Sequence, residues 1–160
     1  MLNEEELRKA LDKYGDMVRR ICFVHLKKEE DVEDVFQEVF FKYTSNSASF
    51  VSAEHEKAWI IRVTINESKS LLRKWFHRKV ELKEDLSIYG FEEEPKYPEL
   101  LEAVLSLPQE LKDVIYLHYY EGYKIKEIAD ILNRKENTIH TWLRRAKKKL
   151  SKMLGDDYLE

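Results

Sequence analysis

Apolar residues return every three or four positions along the first quarter of the chain. Leu7, Leu11, Tyr14, Val18, Ile21 and Cys22 line one side of an opening helix. Lys27 to Asp31 form a polar turn. Asp31 is placed to cap a second helix, with Asp34 in its first turn where a carboxylate favours the macrodipole. That helix turns Val32, Val35, Phe36, Val39, Phe40 and Tyr43 inward. Residues 44–56, TSNSASFVSAEHE, are Ser-rich and irregular and predict a loop. Helical spacing resumes near Lys57 and runs to about His77, with Ile61, Ile65, Ser68 and Leu72 toward the core.

The last third shows the same period. Leu100, Leu101, Val104, Leu105 and Leu107 predict a helix stopped by Pro108. Leu111, Val114, Ile115 and Tyr119 predict the inner face of another, ended by Gly122. Two shorter patterns follow: Ile125, Ile128, Ala129 and Leu132, then Ile139, Leu143, Ala146 and Leu150. Asn133 stands between them, where a tight turn demands positive φ and Asn tolerates it. Two helices joined in this way predict a helix-turn-helix, whose second helix enters the DNA major groove. The pattern as a whole predicts an all-α chain of two small helical domains, residues 1–79 and 99–160. The stretch between them, 80–98, lacks periodicity, carries Gly90, Pro95 and Pro98, and predicts a flexible acidic linker.

Charge adds what the apolar pattern leaves open. The net charge of −3 argues against a protein that coats DNA nonspecifically. It is nevertheless segregated. Residues 57–79 hold seven bases against one acid, and residues 123–152 hold ten against three. Residues 1–56 hold eight bases against thirteen acids, and residues 80–102 two against eight. Two basic stretches are thus divided by an acidic one, which reads either as a solvated loop or as a tether that keeps two DNA-binding modules from binding nonspecifically to DNA or to each other.

Within the modules three polar stripes stand out. Asp34, Gln37, Glu38 and Phe41 share one side of the second helix; an acidic stripe with an aromatic in it is a candidate docking face for a partner helix. Trp59, Arg62, Asn66, Lys69 and Arg73 share a line on the third, where bases hold phosphates and an amide meets a base edge. Trp59 in that line is more simply read as core packing. Asn137, Thr138, His140, Thr141, Arg144 and Arg145 lead the recognition helix, where Arg is the usual bidentate reader of guanine. Lys147, Lys148, Lys149 and Lys152 are placed for phosphates, adding affinity and salt dependence.

Other classes of function find little support. No Gly-rich phosphate loop, metal-spaced Cys/His cluster or nucleophile-and-base pattern is present, and His25, His55, His77, His118 and His140 are scattered. The chain is therefore expected to be no enzyme and to need no cofactor or metal. One cysteine, Cys22, allows no internal disulfide and fits a reducing compartment. The acidic start and the lack of an apolar run of roughly 20 residues predict a soluble, cytoplasmic protein without membrane insertion.

With both modules read, the chain resembles the sigma-70 family of bacterial RNA polymerase sigma factors, and within it the extracytoplasmic-function (ECF) group, which keeps only regions 2 and 4. The resemblance rests on DVEDVFQEVFFKY and KAWIIRVTINESKSLLRKW for region 2, and on LPQELKDVIYLHYYEGYKIKEIADILNRKENTIHTWLRRAKKKL for region 4. It implies that Asp34, Gln37, Glu38 and Phe41 dock on the β′ clamp coiled coil of core RNA polymerase. It implies that the 44–56 loop with Arg62, Asn66, Lys69 and Arg73 reads the −10 element of promoter DNA, trapping an unstacked base. Asn137, Thr138, His140, Thr141, Arg144, Arg145 and Lys148 then serve the −35 element. The β-flap and an anti-sigma factor are further implied partners. Lys124 stands where the family often has Ser or Thr, Asn133 replaces a usual Gly, and His140 a common Lys or Arg. The alternative is a stand-alone helix-turn-helix regulator of the response-regulator output type, which leaves the Asp34–Phe41 and Arg62–Arg73 stripes unexplained.

Overall fold

The computed structural model describes residues 4–46, 49–75 and 98–155, all of whose regular elements are helical. The chain divides into two compact units, with the boundary between Glu93 and Glu94. Residues 80–97 of the expected acidic linker, and His77 at the expected helix end, lie outside the described residues.

The first unit is three helices, each packed on the other two: α1 (Glu4–His25), α2 (Glu29–Ser45) and α3 (Ala53–Trp75). α1 opens with Glu4, Glu5 and Glu6, which suit the positive end of the helix dipole. Tyr14, Val18, Ile21 and Cys22 are buried as the spacing predicts, with Ala10 and Met17 beside them. α2 contributes Val32, Val35, Val39, Phe40 and Tyr43, and α3 contributes Ile60, Ile61 and Ile65. Small groups let α1 and α3 approach: Ser68 is fully buried, its hydroxyl 4.0 Å from the Cys22 thiol. Thr64 is also fully buried and satisfies its hydroxyl on the Ile60 carbonyl at 2.7 Å.

Two boundaries differ from the sequence reading. α2 begins at Glu29, with Lys28 as its N-cap, so Asp31 is not the cap. Asp31 sits buried in the first turn, and its N–H donates to the Lys28 carbonyl at 3.0 Å. The 44–56 loop is shorter than expected, because α2 continues to Ser45 and α3 begins at Ala53. Ser52 is the reason at the second boundary. Its carbonyl accepts the Glu56 N–H at 3.1 Å and its hydroxyl the His55 N–H at 3.0 Å, so it starts the helix.

The second unit comprises α4 (Pro98–Leu105), α5 (Gln109–Ile115), α6 (Ile125–Leu132) and α7 (Glu136–Leu154). α7 is its spine and packs on the other three. Ile139, Leu143, Ala146 and Leu150 are all buried along it, as the spacing requires. Around them lie Ala103, Leu107, Leu111, Val114, Ile115, Ile128, Ala129 and Ile131. Leu100, Leu101, Val104 and Leu105 are only half-buried, and α4 ends before Leu107 rather than at Pro108. α5 does not continue as an α-helix to Gly122. Tyr116–Tyr120 form a π-helical turn. The wider turn shifts the helical phase, so Leu117 is fully buried while Tyr119, expected inside, is 52% exposed.

Candidate nucleic-acid interface

The helix-turn-helix is built from its turn outward. Asn133 takes φ 54° and ψ 53°, the left-handed region that the sequence assigns to it. The Arg134 N–H then bonds back to the Ala129 carbonyl at 2.9 Å, closing the end of α6. At the start of α6, the Glu127 carboxylate accepts the Lys124 N–H at 2.9 Å. An ammonium has no lone pair to accept a backbone N–H, so only this carboxylate half of a capping box operates. Lys124 therefore changes how the helix is capped and leaves the motif intact.

Four buried anchors on α7 fix which side of it faces outward. Asn137, His140, Arg144, Arg145 and Lys148 are exposed; Thr138 and Thr141 are half-buried at the rim. Exposed Arg134 and Lys135 precede the helix and extend the basic surface toward the turn. They lie outside the helical periodicity, and only their charge signals them. Lys147 is committed differently from its neighbours: its ammonium lies 5.5 Å from the centroid of the Tyr119 ring. That contact follows from the π-helical turn, which delivers Tyr119 outward.

In the first unit, α3 separates the residues of its sequence stripe. Asn66 and Arg73 are exposed, whereas Arg62 and Lys69 are half-buried. Trp59 belongs to an aromatic cluster, its ring 6.3 Å from Tyr43 and 5.6 Å from Phe50. Phe50 also stacks on Tyr43 at 6.1 Å with 14° between the planes. Trp59 thus packs the loop against α2 and is not an open stacking platform. Val51, next to Phe50, is 87% exposed.

The acidic stripe on α2 is a surface feature throughout. Asp34, Gln37 and Glu38 are exposed. Phe41 is 65% exposed, whereas its neighbour Phe40 is 5% exposed and packs in the core. Ion pairs flank the stripe. Arg19 pairs with Glu33 at 3.2 Å while its guanidinium lies 3.9 Å from the Phe36 ring centroid. At the other end Lys42 bonds the Glu67 carboxylate, which holds the Lys42 ammonium above its ordinary pKa. The exposed Phe41 sits beside that closed pair.

Two family descriptions match, one in each unit. Sigma-70 region 2 matches residues 10–76, and Sigma-70 region 4 matches residues 97–150. The RNA polymerase sigma factor SigV of Bacillus subtilis is 32% identical over 133 residues, covering 81% of this chain and 79% of that protein. The chain belongs to the sigma-70 family. The ECF RNA polymerase sigma factor SigW of the same organism matches over 96% of this chain and 91% of its own length, at 24% identity. The protein is a sigma factor of the ECF group, an initiation factor for transcription. The fold agrees with that of RpoE in its co-crystal structure with the anti-sigma factor NepR from Bartonella quintana. That match has a TM-score of 0.75 and 21% identity, over 96% of this chain and 99% of RpoE. A stand-alone helix-turn-helix regulator accounts for residues 97–150 alone; the region 2 match over 10–76 requires the sigma-70 reading. Among the described residues, no helix is long and apolar enough to cross a membrane.

Proposed function

We propose that the two units divide the work of promoter selection. The first docks on core RNA polymerase through Asp34, Gln37, Glu38 and Phe41, on the β′ clamp coiled coil. It reads the −10 element with the loop before α3 and with Arg62, Asn66, Lys69 and Arg73. Trapping an unstacked base there offsets an unstacking cost of roughly a few kcal/mol, so melting needs no ATP. The second reads the −35 element with Asn137, Thr138, His140, Thr141, Arg144, Arg145 and Lys148, and touches the β-flap. Residues 80–98 tether the two. An anti-sigma factor is the expected inhibitor, and the cytoplasm the expected site of action; the protein itself catalyses nothing.

The observation that carries this reading is Phe41. A large aromatic is left 65% exposed on an acidic helix face in the unit that matches Sigma-70 region 2. Exposed apolar area of that kind, ringed by polar groups, is what a helix-docking surface needs. Core association followed by run-off transcription on a promoter library tests it. Promoter-dependent transcripts made only with core enzyme are expected. Sequence-specific duplex binding without core, and no such transcripts with it, would refute the proposal.

A further inference from the structure

The segment before α3 has a half-buried foot and an exposed tip. Phe50 is the foot, held between Tyr43, Trp59 and His55, with ring centroids 6.1, 5.6 and 5.4 Å away. Val51 is the tip, with 87% of its surface open to solvent. Between them lies one polar contact that fixes the tip: the Val51 N–H donates to Nδ1 of His55 at 3.2 Å. The His55 N–H in turn donates to the Ser52 hydroxyl at 3.0 Å. This is a capping box with a shifted reach. The third residue of the helix turns its side chain back, but binds the amide of Val51 rather than that of the cap residue. Nδ1 can accept only when the ring carries its proton on Nε2. The exposed His55 ring packs T-shaped against Phe50, at 78° between planes, which limits its rotation.

We infer that His55 is a positioning residue for promoter melting: it pins the Val51 amide and so holds the Val51 side chain outward, as an apolar tip against an unstacked base. The inference rests on the reading of this loop as part of the −10 reader. Two features favour a base as the occupant of the tip. Trp59, on which the foot rests, stands three and seven residues before Arg62 and Asn66, so the segment packs on the helix that carries the cationic and amide groups. An exposed aliphatic side chain gains by covering the π-face of an unstacked base, as apolar wedges do elsewhere.

The test uses holoenzyme and a promoter recovered from library selection, with 2-aminopurine in the non-template strand of the −10 element reporting unstacking. His55→Ala should lower the open-complex signal roughly three- to tenfold, the worth of one hydrogen bond. His55→Asn, whose amide oxygen can take the place of Nδ1, should restore it. Core association and −35 dependence should be unchanged in both. In the free protein, nitrogen NMR should show the His55 ring protonated on Nε2 with the Val51 amide bonded to Nδ1. Signal lost in both variants, or a ring protonated on Nδ1, overturns the positioning role. If Val51→Asp lowers the signal while His55→Ala leaves it intact, the positioning role falls and the −10 reading stands. If Val51→Asp also leaves it intact, the reading of this loop falls too.

Discussion

Tyr14 and Tyr43 lie on different helices and donate their phenol protons to the two oxygens of one carboxylate. Tyr14 reaches Oε1 of Glu56 at 2.7 Å and Tyr43 reaches Oε2 at 2.8 Å. Glu56 stands in the first turn of α3, so this one side chain ties all three helices of the first unit together. It also orients the end of α3 that follows the Val51 loop. Hydrogen bonds to a charged group are worth about 1.5–3 kcal/mol each. Tyr14→Phe and Tyr43→Phe should each lower stability by about that amount in urea unfolding at neutral pH.

Tyr43 adds a pH signature. Burial first, and then its bond to Glu56, push its phenol above the ordinary value. The folded protein therefore keeps the proton after the unfolded chain, titrating at about pH 10, has lost it. Within that window the unfolded state binds fewer protons, so stability falls as pH rises. Below it the contribution is fully present. Unfolding followed from about pH 9 to about pH 11 should show a steeper decline for the native chain than for Tyr43→Phe.

Gly15 is a buried glycine inside α1. A Cβ there would meet the Phe36 ring carbons at 3.7 and 3.8 Å, an ordinary contact distance. Gly15→Ala should stabilise the first unit by about 0.5–1 kcal/mol through the lower entropy of the unfolded chain. A raised urea midpoint would confirm it. A lowered one would mean that the Arg19 guanidinium, 4.0 Å from that position, had been displaced from Phe36.

Asn133 holds the turn with φ at 54°. Asn133→Ala forces a side chain without local hydrogen bonding into that region and should cost about 1–2 kcal/mol. Asn133→Gly should stay within about 0.5 kcal/mol of the native chain, since glycine accepts the angle freely. Thermal unfolding of the two variants separates the outcomes.

Cys22 is fully buried, and burial pushes its thiol up to about 12. The thiolate is the reactive form, so alkylation of the folded protein near pH 8 should be slow and should follow global unfolding. Rapid labelling without denaturant would contradict the packing of α1 on α3.

The two units should fail independently. Arg144→Ala or Arg145→Ala should reduce use of a −35 element by roughly tenfold or more, if each reads a base bidentately, and leave core association intact. Asp34→Ala or Phe41→Ala should instead lower core association itself, and with it transcription from promoters with and without a −35 element alike. Pull-down on core polymerase and run-off transcription from matched promoters distinguish the two.

Much of this molecule was legible because helices declare themselves by spacing. Ile139, Leu143, Ala146 and Leu150 have only one way to share a face, and Asn133 only one reason to stand between that pattern and the one before it. The exposed stripe at Asp34, Gln37, Glu38 and Phe41 followed from the same arithmetic. What escaped depended on contacts or on a change of period. A period of 3.6 puts Tyr119 inside, but the segment that carries it is π-helical. The Ser-rich run reads as loop through to Glu56, although Ser52 is a cap and the residues after it are already helix. The Glu56 bridge joins residues 42 and 13 positions away, and no local pattern announces such a partner. Trp59 leaves its stripe for the same reason, since Phe50 and Tyr43 claim it.

The π-helical turn at Tyr116–Tyr120 has a consequence for how this unit tolerates change in length. An α-helix that gains one residue must either rotate everything beyond it or confine the excess to a single wide turn. Here the excess is taken up at the end of the helix: Leu111, Val114 and Ile115 before the wide turn are buried, and Leu117 within it is buried too. The segment acts as an expansion joint. Insertions or deletions of one residue are best absorbed between Ile115 and Gly122, where a mismatch changes which tyrosine faces outward and leaves the geometry of the turn at Asn133 untouched.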